Sequence, residues 1–216
     1  MTVLGAVIPA AGRSKRMGRS KPLLTLGDTD FLGTILKTLR RPDVAVGLVA
    51  VVHCADDEPL RERIAAHAGE PVIAVPVEPG AGDMLHSVRA GAYAMVARAM
   101  VLDAQVPSGV MVWPVDAPAV APATVAAVAA AARRAPDHVA QPEHEGAPGH
   151  PVYVPRLLLE PAAVASAAGP GLRGLIEGAQ VPVDPVAVSD PRCLVNVNTP
   201  EDYEAYRAQV EGESQG

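Results

Sequence analysis

The feature that most constrains the fold is residues 46–52 (VGLVAVV), a near-continuous apolar run. Such a run is typical of a strand that is buried on both faces of a parallel sheet. Similar runs recur along the chain and alternate with segments whose apolar residues have helical spacing. We predict strands at 3–9, 46–52, 72–77, 110–115 and 194–197, short extended pieces at 139–141 and 151–154, and at most an edge strand at 181–188. We predict helices at 31–39, 58–68, 84–100, 122–134 and 172–177, and a last helix from Pro200. This alternation indicates an α/β fold with a mostly parallel sheet.

The size and charge of the chain limit what it binds. Its 216 residues suit one domain, which we place at residues 1–210, with a disordered polar tail at 211–216. The net charge of −6 argues against nucleic acid as a partner, because non-specific binding needs a broad basic surface. No signal peptide or membrane-spanning apolar run is recognised, so we expect a cytoplasmic protein without a membrane partner. Cys54 and Cys193 sit in or beside apolar runs, and we expect buried free thiols.

The first predicted strand opens into a loop suited to phosphate. Ala10-Ala11-Gly12 carries little side chain, so a ligand can approach the backbone N–H groups. Five cationic side chains follow within nine residues, with no acidic residue among them: Arg13, Lys15, Arg16, Arg19 and Lys21. Because the chain as a whole is acidic, we interpret this cluster as a site for a discrete anionic ligand, most simply a nucleoside triphosphate. The alternative is a solvated basic loop that binds nothing.

Two other phosphate-binding motifs are excluded by their spacing. A P-loop needs a Lys directly after its second glycine and then Ser or Thr, whereas Arg19 follows Gly18 here. The dinucleotide fingerprint needs three glycines at fixed spacing, and only Gly12 lies in the right region.

A triphosphate among cations usually brings Mg²⁺, which takes a few protein oxygens and completes its shell with phosphate and water. Asp116 ends a predicted apolar strand, where a carboxylate is costly unless it is paired, hydrogen-bonded or metal-bound. Asn198 follows the last predicted strand and supplies a second oxygen. We therefore predict Asp116 and Asn198 as magnesium ligands. The alternatives are that Asp116 caps its own turn and that Asn198 caps the following helix.

Four motifs in this order resemble those of the MobA-like nucleoside-triphosphate transferases, from about Val3 to Tyr206. Residues 10–21 (AAGRSKRMGRSK) are similar to the AAGxSxRMGxxK signature, and Asp116-Ala117-Pro118 to the metal-binding D-x-P turn. Residues 146–151 (GAPGHP) resemble the GxxGHP loop of the molybdenum cofactor cytidylyltransferases. Residues 198–202 (NTPED) stand where such enzymes carry DTPED.

The resemblance implies a three-layer α/β/α Rossmann-like nucleotidyltransferase fold shared with GT-A glycosyltransferases, with a mostly parallel mixed sheet. It implies Mg²⁺-dependent transfer of a nucleoside monophosphate onto a phosphorylated acceptor, with release of pyrophosphate. The Ala-Ala-Gly form of the first motif goes with CTP and the Ala-Gly-Gly form with GTP. In the cytidylyltransferase group the acceptor is molybdopterin-bound molybdenum, and the resemblance suggests a molybdenum hydroxylase as partner.

The resemblance also assigns roles to residues of this chain. Nucleotide binding falls to Ala10, Ala11, Gly12, Arg13, Ser14, Arg16, Lys21, Asp83 and Ser87. Catalysis falls to Arg16, Lys21 and Asp116, and acceptor binding to Gly149, His150 and Pro151. We expect His150 in an exposed loop that contacts the acceptor, the alternative being a histidine bonded to neighbouring backbone.

Two departures from the family pattern bear on function. Asn198 replaces the usual Asp and contributes less charge to the metal site. Asp83 stands where the family often has Gly; it either binds a ribose hydroxyl or a base amino group, or caps the next helix, and we favour capping.

Other functions stay open at this stage. The same chemistry acts on other acceptors, namely a sugar phosphate, a choline or polyol phosphate, or phospholactate. A GT-A glycosyltransferase is disfavoured because Asp116-Ala117-Pro118 lacks the second Asp of an Asp-x-Asp motif. A non-catalytic nucleotide-sensing module is disfavoured because Arg16, Lys21 and Asp116 are all present.

Overall fold

The computed structural model describes residues 2–12, 20–67, 71–165, 171–178 and 181–213. In this part of the chain one eight-stranded sheet lies between two layers of helices, which confirms the predicted α/β/α fold. The strands are β1 (Leu4–Pro9), β2 (Thr25–Leu26), β3 (Thr29–Asp30), β4 (Val46–Cys54), β5 (Val72–Val77), β6 (Gly109–Val112), β7 (Val139–His144), β8 (Ala147–Pro148), β9 (Val152–Pro155) and β10 (Val183–Ala187). The helices are α1 (Phe31–Leu39), α2 (Glu58–Ala65), α3 (Met84–Val101), α4 (Pro122–Arg134), α5 (Pro161–Ala165), α6 (Gly171–Gly178) and α7 (Pro200–Glu213).

The main sheet has the strand order β10-β7-β9-β6-β1-β4-β5, with β8 paired to β7, while β2 and β3 form a separate hairpin. β1 pairs in parallel with both β4 and β6, β4 with β5, and β10 with β7. β9 runs antiparallel to both of its neighbours. The sheet is therefore mixed but mostly parallel, as predicted, and β10 is an edge strand.

Side chains of the central strands alternate between two cores. In β1, Ile8 packs with α1, α2, α4 and α7 on one face, whereas Val7 packs with α3 and α6 on the other. β4 and β6 alternate in the same way, so apolar residues occupy both faces of the strands. A Cβ at Gly91 of α3 would lie 2.8 Å from Val7 Cγ1, and this close approach fixes α3, and with it Asp83 and Ser87, over the sheet.

Three sequence predictions need correction. Residues 194–197 are not a strand: Pro191–Leu194 forms a 3₁₀ turn, and the residues after it have no sheet pairing. Asp190 stabilises that turn, because its carboxylate accepts from the backbone N–H of Arg192 and of Ala121.

The predicted fourth strand, 110–115, ends early, at Val112, since Pro114 has no N–H to donate to a ladder. The prediction of a disordered tail is wrong for residues 211–213, because α7 continues to Glu213.

Cys54 and Cys193 are buried free thiols, as expected. None of the helices in the described ranges is both long enough and apolar enough to cross a bilayer.

Tyr206 anchors α7 to the turn that follows β6, and we predict that Tyr206→Phe destabilises the fold. Its hydroxyl accepts from the Ala119 N–H at 2.6 Å, and the side chain is buried. The variant leaves that N–H without its partner, which costs about 1–2 kcal/mol in the free energy of unfolding by urea. An unchanged free energy of unfolding would contradict this role.

The same residue makes stability depend on alkaline pH. Burial raises the pKa of Tyr206 to about 12, whereas the phenol ionises near its ordinary value of 10 in the unfolded chain. The unfolded state therefore loses its proton first, and the contribution of Tyr206 to stability falls as pH rises from about 10 to about 12. We expect Tyr206→Phe to remove this part of the alkaline decline.

Candidate nucleotide and metal site

Loops at the carboxyl ends of the parallel strands enclose a cleft of about 470 Å³, which is the size of a small-molecule site. It is lined by Pro9, Ala10, Ala11, Gly12, Lys21, Pro22, Gly82, Asp83, Met84, Ser87, Pro114, Val115, Asp116 and Asn198. Eight of the predicted site residues thus line one cleft, although they come from five distant parts of the sequence. This position agrees with the rule that ligands of open α/β sheets bind beyond the carboxyl ends of the strands.

The predicted phosphate loop leaves β1 at the floor of this cleft. The Ala10 N–H donates to the Val52 carbonyl at 2.8 Å, and Cys54 Sγ lies 3.5 Å from the Ala11 carbonyl oxygen. Both contacts attach the loop to β4. A Cβ placed on Gly12 would meet no described atom within 4 Å, so the backbone there is open to a ligand. Arg13, Ser14 and Arg16 lie outside the described residues, as do Lys15 and Arg19.

Lys21 brings the two predicted metal ligands together. Its Nζ donates to Asn198 Oδ1 at 2.8 Å and lies 3.4 Å from Asp116 Oδ2. The Lys21 side chain is only 13% exposed and that of Asp116 is 26% exposed. A cation therefore already sits between one carboxylate oxygen and one amide oxygen, at the edge of the phosphate cleft.

The turn after β6 holds Asp116 through its backbone. The Trp113 indole donates to the Ala117 carbonyl at 2.7 Å, and the Ala117 N–H donates to the Pro114 carbonyl at 3.1 Å. The Asp116 carbonyl accepts from the Val197 N–H at 2.8 Å, which ties this turn to the segment before α7. The Asp116 carboxylate faces Lys21 and does not cap its own turn. The alternative role predicted for Asp116, as a turn cap, is therefore not observed.

Asn198 is fixed by the start of α7. Thr199 Oγ1 accepts from the Asp202 N–H at 3.1 Å, while Asp202 Oδ2 accepts from the N–H groups of Thr199 and Asn198, both at 2.9 Å. This is a capping box, with Asp in the place of Glu. The two backbone N–H groups hold the pKa of Asp202 below its ordinary value. Because Thr199 is the cap, the Asn198 side chain is free to face Lys21.

Asp83 and Ser87 line the wall that α3 contributes. Asp83 Oδ1 accepts from the His86 N–H at 3.1 Å, so Asp83 caps α3 as favoured from the sequence. Its side chain nonetheless lies at the cleft. Ser87 is buried at the next turn of the helix and also lines the cleft. Both side chains therefore belong to the wall of the cleft.

The Gly149-His150-Pro151 segment is less exposed than expected. Gly149 and Pro151 are buried, and His150 is half-buried. The His150 N–H donates to the Cys193 carbonyl at 2.8 Å, and the Gln141 side chain donates to the Gly149 carbonyl at 3.2 Å. A Cβ on Gly149 would lie 2.6 Å from the Cys193 carbonyl oxygen, which is why a glycine is needed there.

His150 precedes β9, whose first residue, Val152, pairs with Val112 at the end of β6, so His150 lies at the same end of the sheet as the cleft. Its Nδ1 is buried and has no hydrogen-bond partner among the described residues. Burial lowers the pKa of His150, and the negative charge of Asp116 acts in the opposite direction. His150 is not among the residues that line the cleft.

The residues present fit a divalent metal that is shared with a nucleotide. Across the described ranges, no cluster of three His, Cys, Asp or Glu side chains is arranged to hold a metal ion alone. Asp116 and Asn198 supply two oxygens, and both already face one cation. Mg²⁺ is commonly held by one or two protein carboxylates and completed by substrate phosphates and water.

Sequence reasoning missed the residues that support the site. Cys54 and Cys193, interpreted only as buried thiols, contact the phosphate loop and the His150 backbone respectively. Gln141 was not singled out, although it holds Gly149. No local pattern indicates these contacts, because each joins segments that are far apart in the chain.

A three-layer α/β fold whose cleft brings together a small-residue loop, a lysine, a carboxylate and an amide is the arrangement expected of a nucleotidyltransferase-type protein. The sequence profile of the MobA-like NTP transferase domain matches residues 6–184, and the chain belongs to this family. This confirms the resemblance. No curated protein matches the chain.

Solved structures share this fold. Rv0371c from Mycobacterium tuberculosis H37Rv is 26% identical, with a TM-score of 0.73 and 95% and 98% of the two chains covered. Its complex with manganese gives a TM-score of 0.68, again at 26% identity, with 94% and 97% covered. A nucleotidyl transferase from Methanothermobacter is 22% identical, with a TM-score of 0.74 and coverage of 99% and 100%.

A third neighbour is the molybdopterin-guanine dinucleotide biosynthesis protein A from Archaeoglobus fulgidus. It is 17% identical, with a TM-score of 0.65 and coverage of 96% and 99%. At this identity the likeness concerns the fold.

Proposed function

We propose that this protein transfers CMP from CTP to the phosphate of a molybdopterin-bound molybdenum cofactor, with Mg²⁺, and releases pyrophosphate. The observation that carries the proposal is the meeting of Lys21, Asp116 and Asn198 beside the Ala10-Ala11-Gly12 loop in one cleft. Membership of the MobA-like NTP transferase family supports nucleotidyl transfer as the chemistry of this arrangement. The manganese complex of Rv0371c supports a divalent metal.

The reaction is a displacement at the α-phosphorus of CTP. An oxygen of the acceptor phosphate, already an anion, attacks the α-phosphorus and forms a new P–O–P bond. The bond from that phosphorus to the α–β bridging oxygen breaks, and pyrophosphate leaves with the electron pair. No strong general base is required, so the protein contributes mainly positioning and charge stabilisation.

Each group of site residues has its own role in the proposed reaction. Backbone N–H groups at Ala11, Gly12 and Arg13 cradle the phosphates, with Ala10 and Ser14 completing the loop. Arg16 and Lys21 neutralise the charge that grows on the α-phosphate and on the leaving pyrophosphate. Asp116 and Asn198 would hold Mg²⁺, which when bound neutralises charge on the phosphate oxygens. Asp83 and Ser87 contact the nucleoside.

The base and the acceptor are proposed from two motifs. Ala10-Ala11-Gly12 has the form that the resemblance associates with CTP. Residues 146–151 have the form that the resemblance associates with a pterin acceptor. They precede β9, whose first residue pairs with the last residue of β6, so we place the acceptor at the end of the sheet that carries Asp116. A cytoplasmic location and delivery of the product to a molybdenum hydroxylase belong to the same proposal.

Calorimetric titration of the purified protein with CTP, GTP, ATP and UTP in the presence of Mg²⁺ tests the nucleotide. We expect CTP to bind at least about tenfold more tightly than the others. Pyrophosphate release is then measured with CTP and molybdenum-loaded molybdopterin. Preference for GTP or UTP would overturn the cytidylyltransferase assignment. Absence of binding to any of the four by a folded sample would overturn the transferase itself.

His150 provides a test of the acceptor side. We predict that His150→Ala raises the KM for the acceptor about tenfold, with little change in the KM for CTP, because His150 belongs to the proposed acceptor loop and does not line the nucleotide cleft. Steady-state kinetics with each substrate varied in turn measures this. His138→Ala is the matched control, since His138 pairs with Asp184 at the edge strand β10. An unchanged acceptor KM would remove His150 from the site.

A further inference from the structure

Lys21 occupies the place that the proposed function gives to a metal ion. Its Nζ lies 2.8 Å from Asn198 Oδ1 and 3.4 Å from Asp116 Oδ2, so one ammonium group bridges the two proposed metal ligands. Mg²⁺ needs its oxygen ligands at about 2.0–2.1 Å. An ammonium group and a divalent cation cannot both sit between the same two oxygens, because the space is shared and like charges repel.

We infer that Lys21 is an internal competitor for the metal, with two working positions. In the nucleotide-free protein its ammonium is held by Asp116 and Asn198 and keeps a free divalent ion out. In the nucleotide complex it binds phosphate and releases both oxygens to the metal that arrives with the triphosphate. Metal and nucleotide therefore bind as a coupled pair. This inference deepens the proposed function and rests on it for the identity of the metal ligands.

The geometry allows the ammonium to move while the backbone stays in place. Lys21 begins a 3₁₀ turn, Lys21–Leu23, whose Pro22 is buried and whose Lys21 carbonyl accepts from the Leu24 N–H at 3.1 Å. The main chain at Lys21 is thus anchored, and the flexible part is its four-carbon stem. Lys21 lines the same cleft as Ala11 and Gly12, so a triphosphate there lies within reach of the side chain.

The charges favour an exchange. In its resting position Lys21 makes its shorter contact, 2.8 Å, with the neutral amide of Asn198 and its longer one, 3.4 Å, with the only carboxylate of the pair. A triphosphate offers several anionic oxygens and draws the ammonium away from this single carboxylate. Because Asn198 is neutral, only one of the two groups that hold the ammonium carries a negative charge.

Removing the lysine should therefore strengthen the binding of free metal. Without Lys21, Asp116 is a half-buried carboxylate with no cation beside it among the described residues, and such a group gains from any positive ion. If the ion pair has only a structural role, its removal should disorder the site and give no gain in metal affinity.

The test is a titration of Mn²⁺ alone, without nucleotide, followed by electron paramagnetic resonance of the unbound ion. We expect Lys21→Met and Lys21→Gln to bind Mn²⁺ about tenfold more tightly than the wild type or better. Lys21→Arg, which keeps the charge, should bind as weakly as the wild type. Lys37→Met is the control for net charge, since Lys37 is 77% exposed and pairs at 3.9 Å with the exposed Asp28.

Further variants locate the effect and isolate it from catalysis. The double variant Lys21→Met with Asp116→Ala should lose the gain in Mn²⁺ affinity, which assigns it to this site. Equal Mn²⁺ affinity of the wild type and both folded Lys21 variants, checked by thermal melting, overturns the inference. Because no nucleotide is present, failure of CTP to bind or react would overturn the proposed function without changing this readout.

Discussion

Asp116→Ala is expected to lower kcat for CMP transfer by at least about 100-fold while the protein stays folded. Of the two proposed metal ligands, Asp116 and Asn198, only Asp116 has a carboxylate, and it faces the Lys21 ammonium. Its removal leaves a neutral amide, Asn198, as the remaining ligand, and an amide alone holds Mg²⁺ poorly. The metal concentration needed for half-maximal rate should rise together with the loss of kcat.

The fold should tolerate this change because the turn is held by other groups. Three groups donate to backbone carbonyl oxygens in this turn: the Trp113 indole, the Ala117 N–H and the Val197 N–H. None of these hydrogen bonds uses the Asp116 carboxylate. Thermal melting and circular dichroism should therefore match the wild type. Asp43→Ala is the matched control: it removes one negative charge at an exposed pair with Arg41, before β4 and away from the carboxyl ends. Near-normal turnover by folded Asp116→Ala protein would refute the metal-ligand role.

Lys21→Ala is expected to cause a loss of similar size, about 100-fold or more in kcat, with a weaker affinity for CTP. The proposed reaction concentrates negative charge on the α-phosphate and the leaving pyrophosphate, and Lys21 is the cation within the described residues that lines this cleft. Its loss removes charge stabilisation at the transition state. The effect should appear in single-turnover rates at saturating CTP, which report the chemical step alone.

This variant separates two roles of one residue. Turnover should fall although free Mn²⁺ binds more tightly, a combination that general unfolding of the site cannot produce. Lys37→Ala serves as the control and should keep wild-type turnover, because its side chain is exposed on α1. A folded Lys21→Ala enzyme with near-normal single-turnover rate would refute the catalytic assignment.

Local patterns predicted most of the fold. The apolar spacing at residues 31–39 and 122–134 gave the bounds of α1 and α4 correctly, because each helix buries one continuous apolar face. The alternation of helices with apolar runs gave the parallel sheet. The error at residues 194–197 has a tertiary cause. Val197 belongs to the hydrophobic core and Leu194 and Val195 pack against it, so these apolar side chains are used in packing without any sheet partner. The Val197 N–H donates instead to the Asp116 carbonyl in the turn after β6.

The candidate site divides in the same way. The sequence by itself determined the family, through motifs whose residue types and order are local, and it indicated the start of α7 at Pro200. Only the tertiary structure decided that Lys21 Nζ lies between Asp116 and Asn198, which are 95 and 177 residues away in the chain. It alone showed that His150 Nδ1 is buried without a hydrogen-bond partner among the described residues. Such contacts depend on how the carboxyl ends of the strands are brought to one edge of the sheet, and residue spacing carries no information about the distances that result.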